Sequence, residues 1–249
     1  MISEMLSYDF IQRAFLGGVL VSLCAALLGV SLVLKRYSMI GDGLSHVSFG
    51  ALSIAIACGI APLKFAIPVV IVAAFLLLRL AENGKMRSDA AIAMVSASSL
   101  AIGVIVTSLT TGLSTDIYSY MFGSILAMSK DDVVVSGLLS VIVIIMFVAC
   151  YHKIFAVTFD ENFSKATGVK VGMYNTLISI FTAITIVVGI KMMGAMLISS
   201  LIVFPSLTSM RIFKSFKSVT ICSAILSVVN FTIGLICSYG FSIPAGASV

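Results

Sequence analysis

Val133-Val134-Val135-Ser136-Gly137-Leu138-Leu139-Ser140-Val141-Ile142-Val143-Ile144-Ile145-Met146-Phe147-Val148-Ala149-Cys150 runs for eighteen residues without a charge. Crossing the hydrocarbon core of a bilayer, about 30 Å thick, takes roughly 20 mostly apolar residues as a helix. In lipid every backbone N–H and C=O must be paired inside the spanning structure, which leaves only helices and closed barrels. The run is continuous rather than alternating, so it reads as a spanning helix and not as a barrel strand. Seven further runs have the same character: Phe10–Leu34, Gly43–Ala61, Leu63–Leu80, Ala90–Thr111, Met173–Ile190, Met192–Met210 and Val219–Tyr239. The expected fold is an all-α, polytopic transmembrane helical bundle of about eight spans, forming a single domain over residues 1–249. The segment 118–128 is too short to span and is expected to be a short re-entrant or surface helix.

Composition agrees. Hydrophobic residues make up 60% of the chain and charged residues 10%, with a mean hydropathy of +1.21. A soluble domain carries about 25% charge. The net charge of +5 does not indicate nucleic acid, because no cationic cluster with interleaved aromatics occurs and cations in such a chain gather in cytoplasmic joints. Lys35, Arg36, Arg79, Lys85, Arg87, Lys153, Lys165, Lys170, Arg211, Lys214 and Lys217 fall on one side of the expected bundle. Only Arg13, Lys64, Lys130 and Lys191 fall on the other. The bias puts the joints after spans one, three, five and seven in the cytoplasm and the N-terminus outside. The first run is long enough to span and shows no small-residue cleavage site, so it is not read as a signal peptide.

Few residues carry chemistry. Cys24, Cys58, Cys150, Cys222 and Cys237 make no Cys-x-x-Cys pair and read as small buried hydrophobes. The scattered methionines read as core filler. There is no His-Glu-x-x-His, no Gly-x-Ser-x-Gly and no phosphate loop, so the chain is not expected to be an enzyme or to hydrolyse ATP itself. His152, between Tyr151 and Lys153, reads as an interfacial residue. His46 differs. It follows Asp42 by four residues in Gly41-Asp42-Gly43-Leu44-Ser45-His46, which places both side chains on one helical face. An ionisable group at membrane depth costs about 2.5–3.5 kcal/mol on insertion scales, so it faces a bundle interior or a wet cavity. Carboxylate and imidazole together make half of a site for zinc, manganese or ferrous iron. The other reading is a pair that only caps the helix at headgroup level. In the joint 151–172, Asp160 suits an N-cap and Gly168 a C-terminal stop, which describes a short surface helix.

Several stretches together resemble the permease subunits of bacterial zinc/manganese ABC importers. They are Leu34-Lys35-Arg36-Tyr37-Ser38-Met39-Ile40-Gly41-Asp42-Gly43-Leu44-Ser45-His46, then Arg87-Ser88-Asp89-Ala90-Ala91-Ile92 and Tyr120-Met121-Phe122-Gly123-Ser124-Ile125-Leu126. Phe159-Asp160-Glu161 through Ala166-Thr167-Gly168 follows, then Gly194–Ile202 with Pro205, and Ile243-Pro244-Ala245-Gly246. Each is weak alone, and their shared order is specific. The resemblance implies that Asp42 and His46 coordinate the transported cation. It implies that the helix 159–168, with Phe159, Asp160, Glu161, Ala166 and Gly168, couples to an ATPase. It further implies a second copy of the chain, two ATP-binding subunits and an extracytoplasmic metal-binding protein, in the bacterial cytoplasmic membrane. Lipid is the expected surrounding, and no tightly bound cofactor is expected beyond the transported metal. Gly43 stands where the signature more often has Ala, which reads as a small change, and relatives are expected to carry one more apolar span beyond Val249. The alternatives are a permease for a metal chelate and a stand-alone ion-coupled transporter. An intramembrane enzyme is a remote third.

Overall fold

Each of the eight apolar runs folds as a helix. The computed structural model describes residues 9–82, 88–110, 130–241, 243 and 245–249. In chain order the helices are α1 (Asp9–Leu34), α2 (Ser38–Ala57), α3 (Pro62–Glu82), α4 (Ser88–Leu109), α5 (Lys130–Ala149) and α6 (Tyr151–Phe159). They continue as α7 (Glu161–Ala166), α8 (Val171–Met193), α9 (Ala195–Ile212), α10 (Phe216–Phe241) and α11 (Ala245–Ser248). Among the described residues there is no strand. Six helices (α1, α2, α4, α8, α9 and α10) are each long and apolar enough to cross a membrane. α5 qualifies together with α6, from which it is bent by 70°, and α3 is apolar over the shorter stretch Pro62–Leu77. The helix expected near 118–128 lies outside the described residues.

α1 and α8 form the centre. α1 packs on α5, α8, α9 and α10, while α8 also meets α2 and α3. Val21, Ala25 and Leu28 of α1 and Ile186 and Ile190 of α8 are almost wholly buried. On α5 the exposed residues Val134, Leu138, Ile142, Ile145 and Val148 recur every three or four positions and give a lipid-facing stripe. Lipid tails are as apolar as leucine, so helix association in the bilayer depends on close packing and small residues. Gly29 of α1 shows this, since a Cβ there would collide with the backbone oxygen of Ile202 on α9. Gly29→Ala is expected to cost about 1–3 kcal/mol through forced helix separation. Gly172→Ala, where a Cβ meets nothing within 4 Å, is the control. Thermal unfolding of the two variants in detergent checks this: the first should melt earlier than wild type and the second should not.

Three joints converge at one end of the bundle. Lys35, just past α1, bonds Glu161 of α7, and Phe216 of α10 packs on Tyr151, Phe155 and Phe159 of α6. The joints after the first, fifth and seventh expected spans therefore share a face, as their positive charges require. This face is the basic end of the bundle.

All five cysteines are free. Cys24 is buried and its thiol donates to the Ser140 carbonyl at 3.3 Å. Cys58 departs from the reading as a buried hydrophobe: it is exposed at the C-terminal cap of α2. A cap residue projects beyond the last packed turn, which apolar context in the sequence does not reveal.

Candidate functional site

The helix carrying Asp42 and His46 starts five residues before the apolar run does. α2 begins at Ser38, and its N-cap residue Tyr37 makes no side-chain capping bond. The segment from Ser38 to Gly43 is more polar than the run that follows it, yet Ile40, Gly41 and Gly43 are buried against neighbouring helices. Packing thus overrides local hydropathy. Asp42 lies beyond the first turn and does not cap the helix.

Depth follows from the neighbours. Gly41 faces Ile202, whose Cδ1 lies 3.5 Å from the position of a Cβ at residue 41. Ile202 is ten residues before Ile212, where α9 ends at the basic end with Arg211 in its last turn. At 1.5 Å per residue that is about 15 Å, half the thickness of a hydrocarbon core. Along α2 itself Asp42 lies four residues and His46 eight residues past Ser38, about 6 and 12 Å, so the pair packs within the bundle beyond the first turn of its helix.

Oδ2 of Asp42 and Nε2 of His46 are 3.7 Å apart, with side-chain exposures of 51% and 26%. That is too long for a hydrogen bond. It is close to the roughly 3.4 Å that separates two ligands on a tetrahedral ion with bonds of about 2.0–2.1 Å. Among the described residues, no third His, Cys, Asp or Glu joins the pair in a cluster. Hydroxyls surround it instead. Ser45 donates to the Asp42 carbonyl at 2.7 Å, and Ser199 of α9 donates to Ser45 Oγ at 3.3 Å. Gly43 matters more than its small size suggests. A Cβ there would lie 2.7 Å from Cγ2 of Ile92 on α4, a branch atom with little freedom. Glycine lets α4 approach α2 beside Asp42.

At the basic end, the surface helix takes a form that the sequence only partly shows. Phe159 closes α6, Asp160 is extended (φ −148°, ψ 101°), and α7 starts at Glu161. Asp160 accepts from the Phe163 amide at 2.9 Å, so it is the N-cap. Gly168, at φ 83°, ends the turn. The expected single helix 159–168 is thus one capped turn and a half, following a nine-residue α6 hidden within what reads as a loop of mixed charge. Phe159 and Phe163 are exposed, and Ala166 and Gly168 lie on the same open surface. Exposed aromatics of this kind are common anchors of protein interfaces. Phe163 is not singled out by sequence, where it reads as one more apolar residue.

Glu161 has a different role. Its Oε1 accepts from Lys35 Nζ at 2.8 Å and from Asn175 Nδ2 at 3.2 Å, and Lys35 also donates to Asn175 Oδ1. Lys35 is only 6% exposed. The network ties α7 to α8 and to the end of α1, where Lys35 stands three residues before the helix that bears Asp42. Desolvation pushes the Glu161 carboxyl up, but hydrogen bonds from Lys35 and Asn175, with the charges of Lys35 and Lys165, outweigh it and hold the group below its ordinary 4.5. A lowered carboxyl stabilises the fold above its unfolded value and loses that contribution as pH falls through the lower folded value. α7 should therefore stay docked from neutral pH down to about pH 5 and loosen only in stronger acid. A spin label at the exposed Asn162 should show constant mobility over that range and increased mobility below it.

The chain as a whole is similar to known proteins. Over 243 residues the chain is 30% identical to the high-affinity zinc uptake system membrane protein ZnuB of Buchnera aphidicola, covering 97% of this chain and 93% of that one. It is 27% identical over 242 residues to the manganese import system permease protein ScaB of Streptococcus gordonii, covering 97% and 87%. The solved structure of PsaBC from Streptococcus pneumoniae in complex with Fab superposes with a TM-score of 0.88 at 26% identity, over 100% of this chain and 91% of that chain. Residues 7–249 match the family described as the ABC 3 transport family, and with that match spanning nearly the whole helical bundle, the chain belongs to that family.

Proposed function

We propose that this protein is the membrane-spanning permease of an ATP-driven importer for bare divalent metal ions, zinc or manganese, with ferrous iron chemically compatible. The observation that carries this reading is the Asp42–His46 pair, 3.7 Å apart within a bundle of membrane-spanning helices, where an ionisable group needs a wet path or a partner. Two ligands are half of a four-coordinate set. A second copy related by a two-fold axis would bring an identical pair to the same axis. The half-exposed Asp42 carboxylate suits that arrangement. Incomplete coordination within one chain also suits transport, which must release what it binds. Ligand chemistry alone does not choose among these metals, because affinity order reflects the element more than the physiological cargo. The names of the zinc and manganese relatives favour those two ions as cargo.

The basic end faces the cytoplasm of a bacterial cell membrane in this reading, and α6 with α7 docks on an ATP-binding subunit through Phe159 and Phe163. ATPase closure would then reach the metal pair through Glu161, Lys35 and the short link to α2, alternating the access of the site. An extracytoplasmic metal-binding protein would deliver the ion on the opposite side. Uptake competition in cells tests the cargo. Bare zinc and manganese should compete with one another for uptake, while a siderophore-type chelate should not. Competition by the chelate with no effect of bare ions would overturn the reading.

A further inference from the structure

An open cavity of about 480 Å³ lies at the basic end between α1, α5, α6 and α10. The 70° bend between α5 and α6 opens it, since α6 turns aside where α5 would have continued. Leu27, Phe147 and Thr220 line its apolar interior, and Tyr151, His152 and Lys217 stand at its mouth. Leu27 lies seven residues before the end of α1, so the cavity reaches about 10 Å inward from that end. That depth covers the headgroup level and the upper part of one leaflet.

Charge at the mouth is of one sign. Residues 150–158 and 211–221 contain Lys153, Arg211, Lys214 and Lys217 together with His152, and no Asp or Glu. The nearby carboxylates are occupied: Asp160 caps α7 and Glu161 holds Lys35. α10 begins at Phe216, with the Ser215 hydroxyl accepting from the Ser218 amide, so the positive end of a 26-residue helix also points to this surface. Lys217 and His152 are exposed.

We propose that this cavity is a binding site for an anionic glycerophospholipid, with one acyl chain between α1, α5 and α10 and the phosphate held by Lys217 and His152. Basic pockets between transmembrane helices on the cytoplasmic side suit such headgroups. The lipid bridges the α5–α6 bend to α10, the same two elements joined by the Tyr151–Phe216 ring contact at 5.5 Å. It therefore steadies α6, and through α6 the position of α7.

The test uses the full chain in nanodiscs carrying trace photoactivatable phosphatidylglycerol or, separately, photoactivatable phosphatidylcholine. Labelled peptides are mapped by mass spectrometry, with and without the associated ATP-binding subunit. The phosphatidylglycerol probe should label the segments 147–152 and 217–221 about five-fold more than the phosphatidylcholine probe, the effect of roughly one lysine at a membrane surface. Lys217→Glu, an exposed change with little risk to folding, should erase the difference. Leu27→Phe, which fills the cavity, should lower labelling by both probes. Equal labelling by the two lipids in wild type, or a preference that survives Lys217→Glu, would overturn the proposal. Loss of labelling when the ATP-binding subunit is present would also overturn it, by showing that this face is a protein interface.

Discussion

Asp42→Ala and His46→Ala are each expected to lower metal uptake by about 100-fold or more while leaving the protein folded and able to recruit its ATP-binding subunit. Changes that merely disturb the partners of a metal ligand already cost about 10–100-fold in affinity or activity, and these remove the ligand itself. Asp42 is half exposed and neither side chain caps α2, so the helix keeps its packing through Ile40, Leu44 and Val47, which are buried. A half-exposed side chain that caps nothing adds little to packing, so thermal stability should hold. Uptake of radioactive zinc and manganese, beside a melting curve, separates loss of the site from loss of the fold. Uptake close to wild type in the double variant would show that the pair is not the metal site.

Glu161→Lys carries the second large expected effect. The substitution removes the acceptor of Lys35 Nζ and brings a second ammonium toward it. Two like charges 4 Å apart repel by about 4 kcal/mol at the effective dielectric of a protein surface. The new side chain escapes most of that by rotating into water, because Glu161 is already 38% exposed. Lys35, at 6% exposure, is then left with Asn175, and α7 loses its tether. A loss of about 1–3 kcal/mol in α7 docking corresponds to roughly 5–150-fold weaker coupling. Co-purification with the ATP-binding subunit, and metal-stimulated ATP hydrolysis by whatever complex remains, should both fall. Lys35→Met should have a milder effect, because it removes the buried charge as well as the bond. If Glu161→Lys leaves assembly and stimulation unchanged, α7 is not the coupling element.

Helix existence is legible in the sequence along most of the chain, and the reasons for the exceptions are local. α1 is expected from residue 10 and observed from Asp9 to Leu34, since Lys35 and Arg36 end a run that carries no charge from Ala14 onward. α2 is misplaced at its start because Ser38–Gly43 is polar, and its helicity depends on burial against α4 and α9. That correction puts Asp42 past the first turn of α2, so the pair does not cap the helix. The spacing of the pair is legible because helical geometry fixes i,i+4 neighbours. By contrast, Lys35 reads as a loop cation, and its partners Glu161 and Asn175 are 126 and 140 residues away. Nothing local announces such a contact. Asp160 as a cap and Gly168 as a stop are legible from residue type, whereas the bend at Cys150 is not. His152 and Lys153 mark the end of the apolar run, but only the seat of α6 on Phe216 shows that the chain continues there as a helix at an angle.

The central claim is that metal crosses this bundle under the drive of ATP hydrolysed on another subunit. It is tested most directly by reconstituting the purified chain into sealed vesicles, alone and together with its ATP-binding subunit, and following zinc and manganese entry. The account predicts no concentrative uptake by the chain alone, and uptake that needs both the second subunit and ATP. Uptake by the chain alone, driven by an ion or proton gradient, would contradict it and would make this protein a stand-alone transporter.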